Sequence, residues 1–164
     1  ELQRMLGDEG EVELAVGTNH VRCTIGEIRF TSKLIDGRFP EYSRVIPQNA
    51  NRIIDADRGT LRQSLQRTAI LSNEKYRGIR LNIKPGVLTL QAHNPEQEEA
   101  EDQIEVTYAG EEIEIGFNVT YLLDALSAID TERVNIALTD ANSSCLITAA
   151  TADGARYVVM PMRL

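Results

Sequence analysis

The sequence lacks the features that mark most enzymes and membrane proteins. Its 164 residues include no tryptophan and only two histidines, His20 and His93, which lie far apart without an obvious nucleophile between them. Neither the GxSxG nucleophile elbow nor a glycine-rich phosphate loop occurs, and no apolar run approaches the roughly 18 residues of a membrane span. Asp55 and Asp57 could act as a carboxylate pair, but aspartates between a strand and a helix more often cap the helix. The sequence therefore predicts no catalysis, no cofactor and no membrane span.

Cysteine is scarce as well, and positive charge is in the minority. Cys23 and Cys145 lie in apolar strand patterns without the spacing of a metal site, so we expect buried, reduced thiols and a cytoplasmic protein. Acidic residues outnumber basic ones by 25 to 17, which gives a formal net charge of −8. Any contact of such an acidic chain with DNA must be local. The chain opens on what reads as the end of a helix, so we expect it to be a piece of a longer protein.

Alternating apolar and polar residues predict strands along most of the chain. After a short helix tail, strands at 11–16, 20–25 and 27–35 form a meander, and Gly37 and Pro40 then break the pattern at a domain boundary. From residue 52 a strand, a helix and three strands occur twice. Their ranges are 52–56, 58–72, 78–84, 87–93 and 100–108, then 111–117, 119–129, 133–139, 144–150 and 156–162. Two such β-α-β-β-β units predict an α+β fold with two helices on one face of a largely antiparallel sheet.

Each predicted helix has a buried stripe and an outward face. The buried stripes comprise Leu61, Leu65, Thr68, Ala69 and Ser72 in the first helix and Val119, Leu122, Leu123, Leu126 and Ile129 in the second. The outward residues comprise Gln63, Gln66, Arg67 and Ile70, flanked by Arg58 and Arg62, and in the second helix Tyr121, Asp124 and Ala128, with Asn118 as its N-cap. The arginine and glutamine face of the first helix is either a solvated surface or a binding surface. Ile70, with Leu71 beside it, indicates an interface.

Residues 94–102 carry five carboxylates in a short span, NPEQEEAED. Metal ligands have to converge on one point, whereas a run this dense mostly repels itself into solvent. The pattern therefore favours a docking surface for basic side chains or a solubilising strand edge over a metal site.

The last eight residues, YVVMPMRL, begin as a strand. Pro161 cannot donate a ladder hydrogen bond, so the strand must end there or run along an edge. Two methionines at a terminus either form a plain apolar end or line a groove that a partner fills. We expect the residues after Val159 to add little to the sheet.

Five segments carry a resemblance to a known family: FTSKLIDGRFPEY, TAILSNEKYRGIRL, NPEQEEAE, EIGFNVTYLLDAL and YVVMPMRL. Together they resemble, in order, the C-terminal part of the sliding clamps, the β subunits of bacterial DNA polymerase III. The resemblance implies the end of the middle domain at residues 1–43 and the third domain at 44–164. It also implies a head-to-tail dimeric ring around duplex DNA, with helices lining the hole.

The resemblance further implies roles for particular residues. The resemblance implies that four residues face DNA, namely Arg58, Arg62, Gln66 and Arg67. It implies that five others lie at the ring-closing dimer interface, namely Ile70, Leu71, Glu96, Glu98 and Glu101. Its cleft for short peptide motifs of polymerases, the clamp loader and repair proteins would include Pro40, Arg44, Val45, Asn118, Tyr121, Val158, Met160, Pro161, Met162 and Arg163. Whether Asn142 and Ser144 belong to the same wall stays open. The other cleft wall and the first domain have no counterpart in this sequence, so the chain alone is not expected to close a ring. The rival interpretations are a peptide-binding adaptor without a DNA role and, more distantly, an unidentified hydrolase.

Overall fold

The computed structural model describes residues 2–7, 9–39, 41–151 and 154–163. The chain divides into two units, Glu1–Pro40 and Glu41–Leu164. None of the helices within these described ranges is long and apolar enough to cross a membrane.

The first unit is the predicted three-stranded meander. It consists of helix α1 (Leu2–Met5) and strands β1 (Val12–Val16), β2 (His20–Ile25) and β3 (Ile28–Lys33), which form an antiparallel sheet in the order β1-β2-β3. Gly26 in the turn after β2 has a φ of 57°, a conformation that favours glycine. Of the residues described in this unit only Cys23 is buried, and Leu14 and Val16 are largely exposed. The described part of this sheet therefore builds no apolar core of its own.

The second unit contains both predicted repeats and one short helix that the sequence did not predict, α2 (Tyr42–Val45). The first repeat comprises β4 (Arg52–Asp57), α3 (Arg58–Thr68) with a 3₁₀ turn (Ala69–Leu71), β5 (Gly78–Lys84), β6 (Val87–His93) and β7 (Glu99–Glu105). The second comprises β8 (Ile113–Asn118), α4 (Val119–Ala128), β9 (Arg133–Leu138), β10 (Cys145–Ala149) and β11 (Arg156–Val159). The last strand ends at Val159 and not at 162 as predicted, because the proline at 161 disfavours continuation of the ladder.

The two repeats exchange their first strands. One four-stranded sheet, sheet I, has the order β7-β6-β5-β8, and the other, sheet II, has the order β11-β10-β9-β4. Strand β4 of the first repeat thus pairs with β9 of the second, and β8 pairs with β5. Because each repeat completes its sheet with a strand of the other, neither can form its sheet alone. The predicted α+β arrangement is confirmed, and the exchange is a feature that the sequence pattern did not reveal.

Hydrogen bonds also join the free edges of the two sheets. Asp55 on β4 and Thr107 after β7 exchange backbone bonds of 3.0 and 2.8 Å. At the opposite edges, the Met162 N–H donates to the Gly116 carbonyl on β8 at 2.9 Å. The expectation that residues after Val159 add little to the sheet is therefore wrong, since Met162 ties the end of the chain to sheet I.

Helices α3 and α4 pack beside each other and against strands of both sheets. Their predicted buried stripes are confirmed except that Leu123 is only half-buried and that Ser64 and Ala125 are buried in addition. The predicted caps are confirmed as well: Asp57 accepts from the Thr60 N–H at 2.7 Å and Asn118 from the Thr120 N–H at 2.9 Å. The hydrogen bond from the Thr60 N–H is the main cause that lowers the pKa of the Asp57 carboxyl.

Cys23 and Cys145 are both buried free thiols, as the sequence predicted. Burial raises the pKa of the Cys145 thiol to about 12. Because the thiolate is the reactive form, burial keeps the Cys145 thiol protonated and poorly nucleophilic at neutral pH.

Candidate functional site

The outward face of α3 is the first of four surfaces that carry the predicted functional residues. Arg62 and Gln66 are exposed, and neither is hydrogen-bonded or ion-paired to another described residue through its side chain. Arg58 and Arg67, which were predicted to share this face, both have partners elsewhere. The structure therefore leaves Arg62 as the unpaired cation of this helix face within the described chain.

Arg58 is half-buried and holds the end of the neighbouring helix. Its Nε donates to the Thr131 carbonyl at 2.7 Å and its Nη1 approaches the Leu126 carbonyl at 3.4 Å. The last carbonyls of a helix have no partner within the helix, and a positive charge there also interacts favourably with the helix dipole. The structure thus separates Arg58 from Arg62 and Gln66 and gives it a capping role.

Replacing Arg58 with glutamine should lower the free energy of unfolding by about 1–3 kcal/mol, because it removes a charged donor from these carbonyls. Urea denaturation followed by circular dichroism measures the effect. Arg62→Gln is the matched control, since Arg62 is exposed on the same helix and should leave the midpoint unchanged. Equal midpoints for the two variants would contradict the capping role.

Arg67 is bound to strand β7 by an ion pair. Its Nε and Nη2 lie 3.1 and 2.5 Å from Oδ2 of Asp102. The hydrogen bond from Arg67 is the main cause that holds the pKa of Asp102 below its usual range. This carboxylate therefore stays charged at neutral pH and offsets the charge of Arg67.

The second surface is a depression of about 520 Å³ at the end of α3. It brings together most of the residues predicted for the dimer interface, namely Ile70, Leu71, Glu96 and Glu98. Ile70 is 77% exposed, although Ala69 before it is buried and Leu71 after it is half-buried. An exposed apolar side chain beside two carboxylates is typical of interfaces that have an apolar centre and a polar rim.

The predicted acidic segment does not lie entirely at this depression. Asn94 forms a tight turn by donating to the Glu98 carboxylate at 2.6 Å and accepting from the Glu98 N–H at 2.9 Å. Glu101 lies instead on the opposite face of β7 from Asp102, where it accepts a hydrogen bond of 2.7 Å from Gln91. The alternation of β7 therefore separates Glu101 from Ile70 and Leu71. Within the described residues, no cluster of three or more His, Cys, Asp or Glu is placed to hold a metal ion.

The third surface is formed by the end of β11 and its neighbours. Strands β10 and β11 pair Leu146 with Val158 and Cys145 with Val159. The same register continued by one residue places Met160 opposite Ser144, on the same face of the sheet as Val158. The Ser144 hydroxyl donates to the Val45 carbonyl at 3.4 Å, so this serine contacts the end of α2. Met160 is 64% exposed. Val45, Val158 and Met160 together give an apolar surface at one end of sheet II.

Met162 and Arg163 lie at a separate pocket on sheet I. It has a volume of about 390 Å³, and its lining includes Tyr76, His93 and Pro95. These three residues were not among the predicted site residues, although Tyr76 is an exposed aromatic residue within a charged loop, which is a usable signal. Two methionines only two positions apart therefore lie at two different surfaces, because the chain passes from sheet II to sheet I between them.

The remaining predicted cleft residues differ in their exposure and in their hydrogen-bond partners. Arg44 is exposed and pairs with Glu41 at 3.0 Å. The Asn118 side chain is already engaged by the cap and by the Tyr76 carbonyl at 3.2 Å, whereas Tyr121 is exposed in the first turn of α4. Pro161 is half-buried. Pro40 lies outside the described residues.

Asn142 lies in the turn before β10, where its N–H donates to Asp140 at 2.8 Å. This bond and one from the Ser143 hydroxyl lower the pKa of Asp140, the bond from the Asn142 N–H being the larger cause. The structure connects Asn142 to this turn and Ser144 to Val45.

Comparison with known proteins gives the same family for both units. Residues 43–163 match the family model described as the DNA polymerase III beta subunit, C-terminal domain, and residues 1–41 match its central domain. Beta sliding clamps of Pseudomonas putida and of Escherichia coli K12 are 56% and 51% identical over 165 residues. The matches cover 100% of this chain and 45% of each relative.

Solved structures are similar over the same extent. A DNA polymerase sliding clamp from Pseudomonas aeruginosa, solved with a ligand, has a TM-score of 0.85 and 55% identity, covering 99% of this chain and 45% of that one. A sliding clamp from Bartonella birtlesii bound to griselimycin has a TM-score of 0.86 and 37% identity, covering 99% of this chain and 44% of that one.

Proposed function

Because this chain belongs to the family of DNA polymerase III beta subunits, the beta sliding clamps, we propose that the full-length protein containing it is a processivity factor of DNA replication. It encircles duplex DNA as a homodimeric ring and carries out no chemistry of its own. The observation that carries the proposal is that two consecutive clamp domains match the chain in order over nearly its whole length. The replication role places the protein in the cytoplasm, and no cofactor is needed for it.

We propose that residues 1–43 end the central domain and that 44–164 form the C-terminal domain. The exposed face of α3, with Arg62 and Gln66, looks toward DNA. The depression at Ile70 and Leu71 receives the first domain of a second subunit. Glu96 and Glu98 at its rim then meet basic side chains of that subunit.

Polymerase subunits, the clamp loader and repair proteins dock by short linear peptide motifs. We propose that the apolar surface of Val45, Val158 and Met160 and the pocket of Met162 and Arg163 receive such motifs. Methionine side chains are flexible and polarisable, which suits a surface that accepts several partners. Tyr121 adds an exposed aromatic side chain next to the N-terminus of α4.

The DNA role predicts retention by topology and not by affinity. A few basic contacts on an acidic protein give weak, salt-sensitive attraction, so the full-length ring loaded on a nicked circle should stay bound until the DNA is linearised. Gel filtration of protein and DNA before and after cutting measures this retention. The chain alone should bind short duplexes with a Kd weaker than about 10⁻⁴ M at physiological salt.

Two results would contradict this prediction. One is tight, salt-resistant or sequence-selective binding of the chain alone to short duplexes. The other is a full-length protein that binds polymerase peptides but is lost from closed circles, which would favour an adaptor without a DNA role.

A further inference from the structure

We infer that Asp102 limits the attraction of α3 for DNA by holding Arg67, and that this ion pair sets how weakly the clamp contacts the DNA it encloses. The inference rests on the proposed function, because it takes the exposed face of α3 as the face toward DNA. It assigns to the acidic strand β7 a role at the DNA-facing surface in addition to any role at the subunit interface.

The geometry of the pair makes Asp102 a fixed acceptor. The Nε and Nη2 atoms of Arg67 lie 3.1 and 2.5 Å from Oδ2 of Asp102, and the Gln103 N–H donates to Oδ1 of Asp102 at 2.9 Å. The Asp102 side chain is 27% exposed and that of Arg67 is 58% exposed. The carboxylate is therefore held on the sheet while the guanidinium stays within reach of solvent.

A phosphate that approaches this face has to compete with that carboxylate. Arg67 lines an open groove of about 600 Å³ between α3 and β7, which it shares with the carboxylates Asp57 and Glu105 and with Arg133, a cation that is itself ion-paired to Asp55. A charge-assisted bond to a carboxylate is about as strong as one to a phosphate, so Arg67 gains little by exchanging one for the other. The neighbouring carboxylates Asp57 and Glu105 disfavour the phosphate further.

The other arginines of α3 show how much this pairing matters. Arg58 is committed to the end of α4, so α3 presents Arg62 alone as an unpaired cation among the described residues. Each phosphate neutralised by a protein charge contributes about 0.9 to the slope of log K against log salt. Freeing Arg67 would add one such contact, which is a large change for a surface with so few.

The main alternative is that the pair merely joins α3 to β7. An exposed ion pair contributes little to stability, typically below about 1 kcal/mol. A purely structural role therefore predicts a small change in thermal stability and no change in the salt dependence of DNA binding. If Asp102 instead competes with DNA phosphates for Arg67, removing its charge changes the salt dependence of DNA binding.

The test uses the full-length ring and Asp102→Asn, which keeps the shape of the side chain and removes its charge. We expect binding to a short duplex at 50 mM salt to tighten about threefold to tenfold, and the slope of log K against log salt to steepen by about 0.9. Fluorescence anisotropy titrations over a salt series measure both. Sedimentation checks that the ring remains dimeric.

Glu101→Gln is the matched control. It removes the same charge one residue away, but on the opposite face of β7, so its effect should be less than twofold. In an Arg67→Gln background, Asp102→Asn should lose its effect. An equal effect of Asp102→Asn and Glu101→Gln, or an effect that persists without Arg67, would overturn the inference.

A second comparison needs no change at Asp102. Since Arg67 is already neutralised, Arg67→Gln should weaken DNA binding less than Arg62→Gln does, and the opposite order would also overturn the inference. A failure of the proposed function is distinguishable from both results, because it would appear as loss of the wild-type ring from closed circular DNA.

Discussion

Replacing both Ile70 and Leu71 with alanine should convert the full-length ring into folded monomers. Apolar residues at the centre of an interface typically cost about 2 kcal/mol or more each on truncation, so the pair should weaken the dimer by roughly a thousandfold. The domain core should survive, because Ile70 is exposed and Leu71 only half-buried. Sedimentation velocity over a range of protein concentrations measures the dimer affinity, and circular dichroism measures folding.

Ile53→Ala is the matched control for this substitution. Ile53 is also an exposed isoleucine, but it lies on the outer face of sheet II, away from the depression. It should leave the dimer intact. A double variant at Ile70 and Leu71 that remains fully dimeric would sink the interface assignment, and one that unfolds would return both residues to the core.

The carboxylates beside Ile70 should behave differently from the apolar pair. Rim charges mainly affect the rate of association and its salt dependence. Glu96 and Glu98 border the depression, so their effect should grow as salt is lowered. Glu101 faces the opposite side of β7, which is why spacing along the sequence could not separate it from them, whereas strand alternation could have done so.

The sequence was sufficient for most of the elements and their faces, although not for α2, and it did not show which elements pack together. Period and capping residues predicted α4 from Asn118 onward because both signals are local. The exchange of β4 and β8 between the repeats could not be predicted in this way, since alternation specifies which face of a strand is buried and not which strand lies beside it.

Arg58 shows the same limit for a side chain. Arg58 lies at the boundary of the buried stripe of α3, a position from which its guanidinium could either face solvent or bind another part of the protein. The carbonyls that it binds belong to Leu126 and Thr131, which lie 68 and 73 residues later in the chain. Only the packing of α3 beside α4 brings them together, so no local pattern could have identified the contact. The same reasoning applies to Arg67 and Asp102, which are 35 residues apart.

The end of the chain contributes to the structure as well as to the proposed docking surface, which affects how that surface can be tested. Deleting residues 160–164 would remove the side chains that we propose for docking and also the bond from the Met162 N–H to the Gly116 carbonyl. Loss of peptide binding after such a deletion could then reflect a displaced strand edge. Single substitutions that keep the backbone are therefore the sharper experiment.

Met160→Ala and Met162→Ala should each weaken docking of a polymerase-type peptide by about 2 kcal/mol, or roughly thirtyfold, since each removes an apolar anchor from its surface. Arg163→Ala should cost less, because a charge that remains in contact with water contributes little. Peptide titration against the full-length protein measures the affinities, with circular dichroism as the folding control. Both methionine variants keep the N–H of residue 162, so the link to sheet I is preserved.

Ile53→Ala again provides the control, because Ile53 lies on the same face of sheet II as Val158 but three strands away, about 14 Å at the usual strand spacing. It should leave the peptide affinity unchanged. If Met160→Ala binds as the wild type does while Met162→Ala does not, docking is confined to the pocket beside Tyr76 on sheet I. If neither substitution changes the affinity, the peptide surface lies elsewhere, and the two methionines act only as the apolar end of a strand.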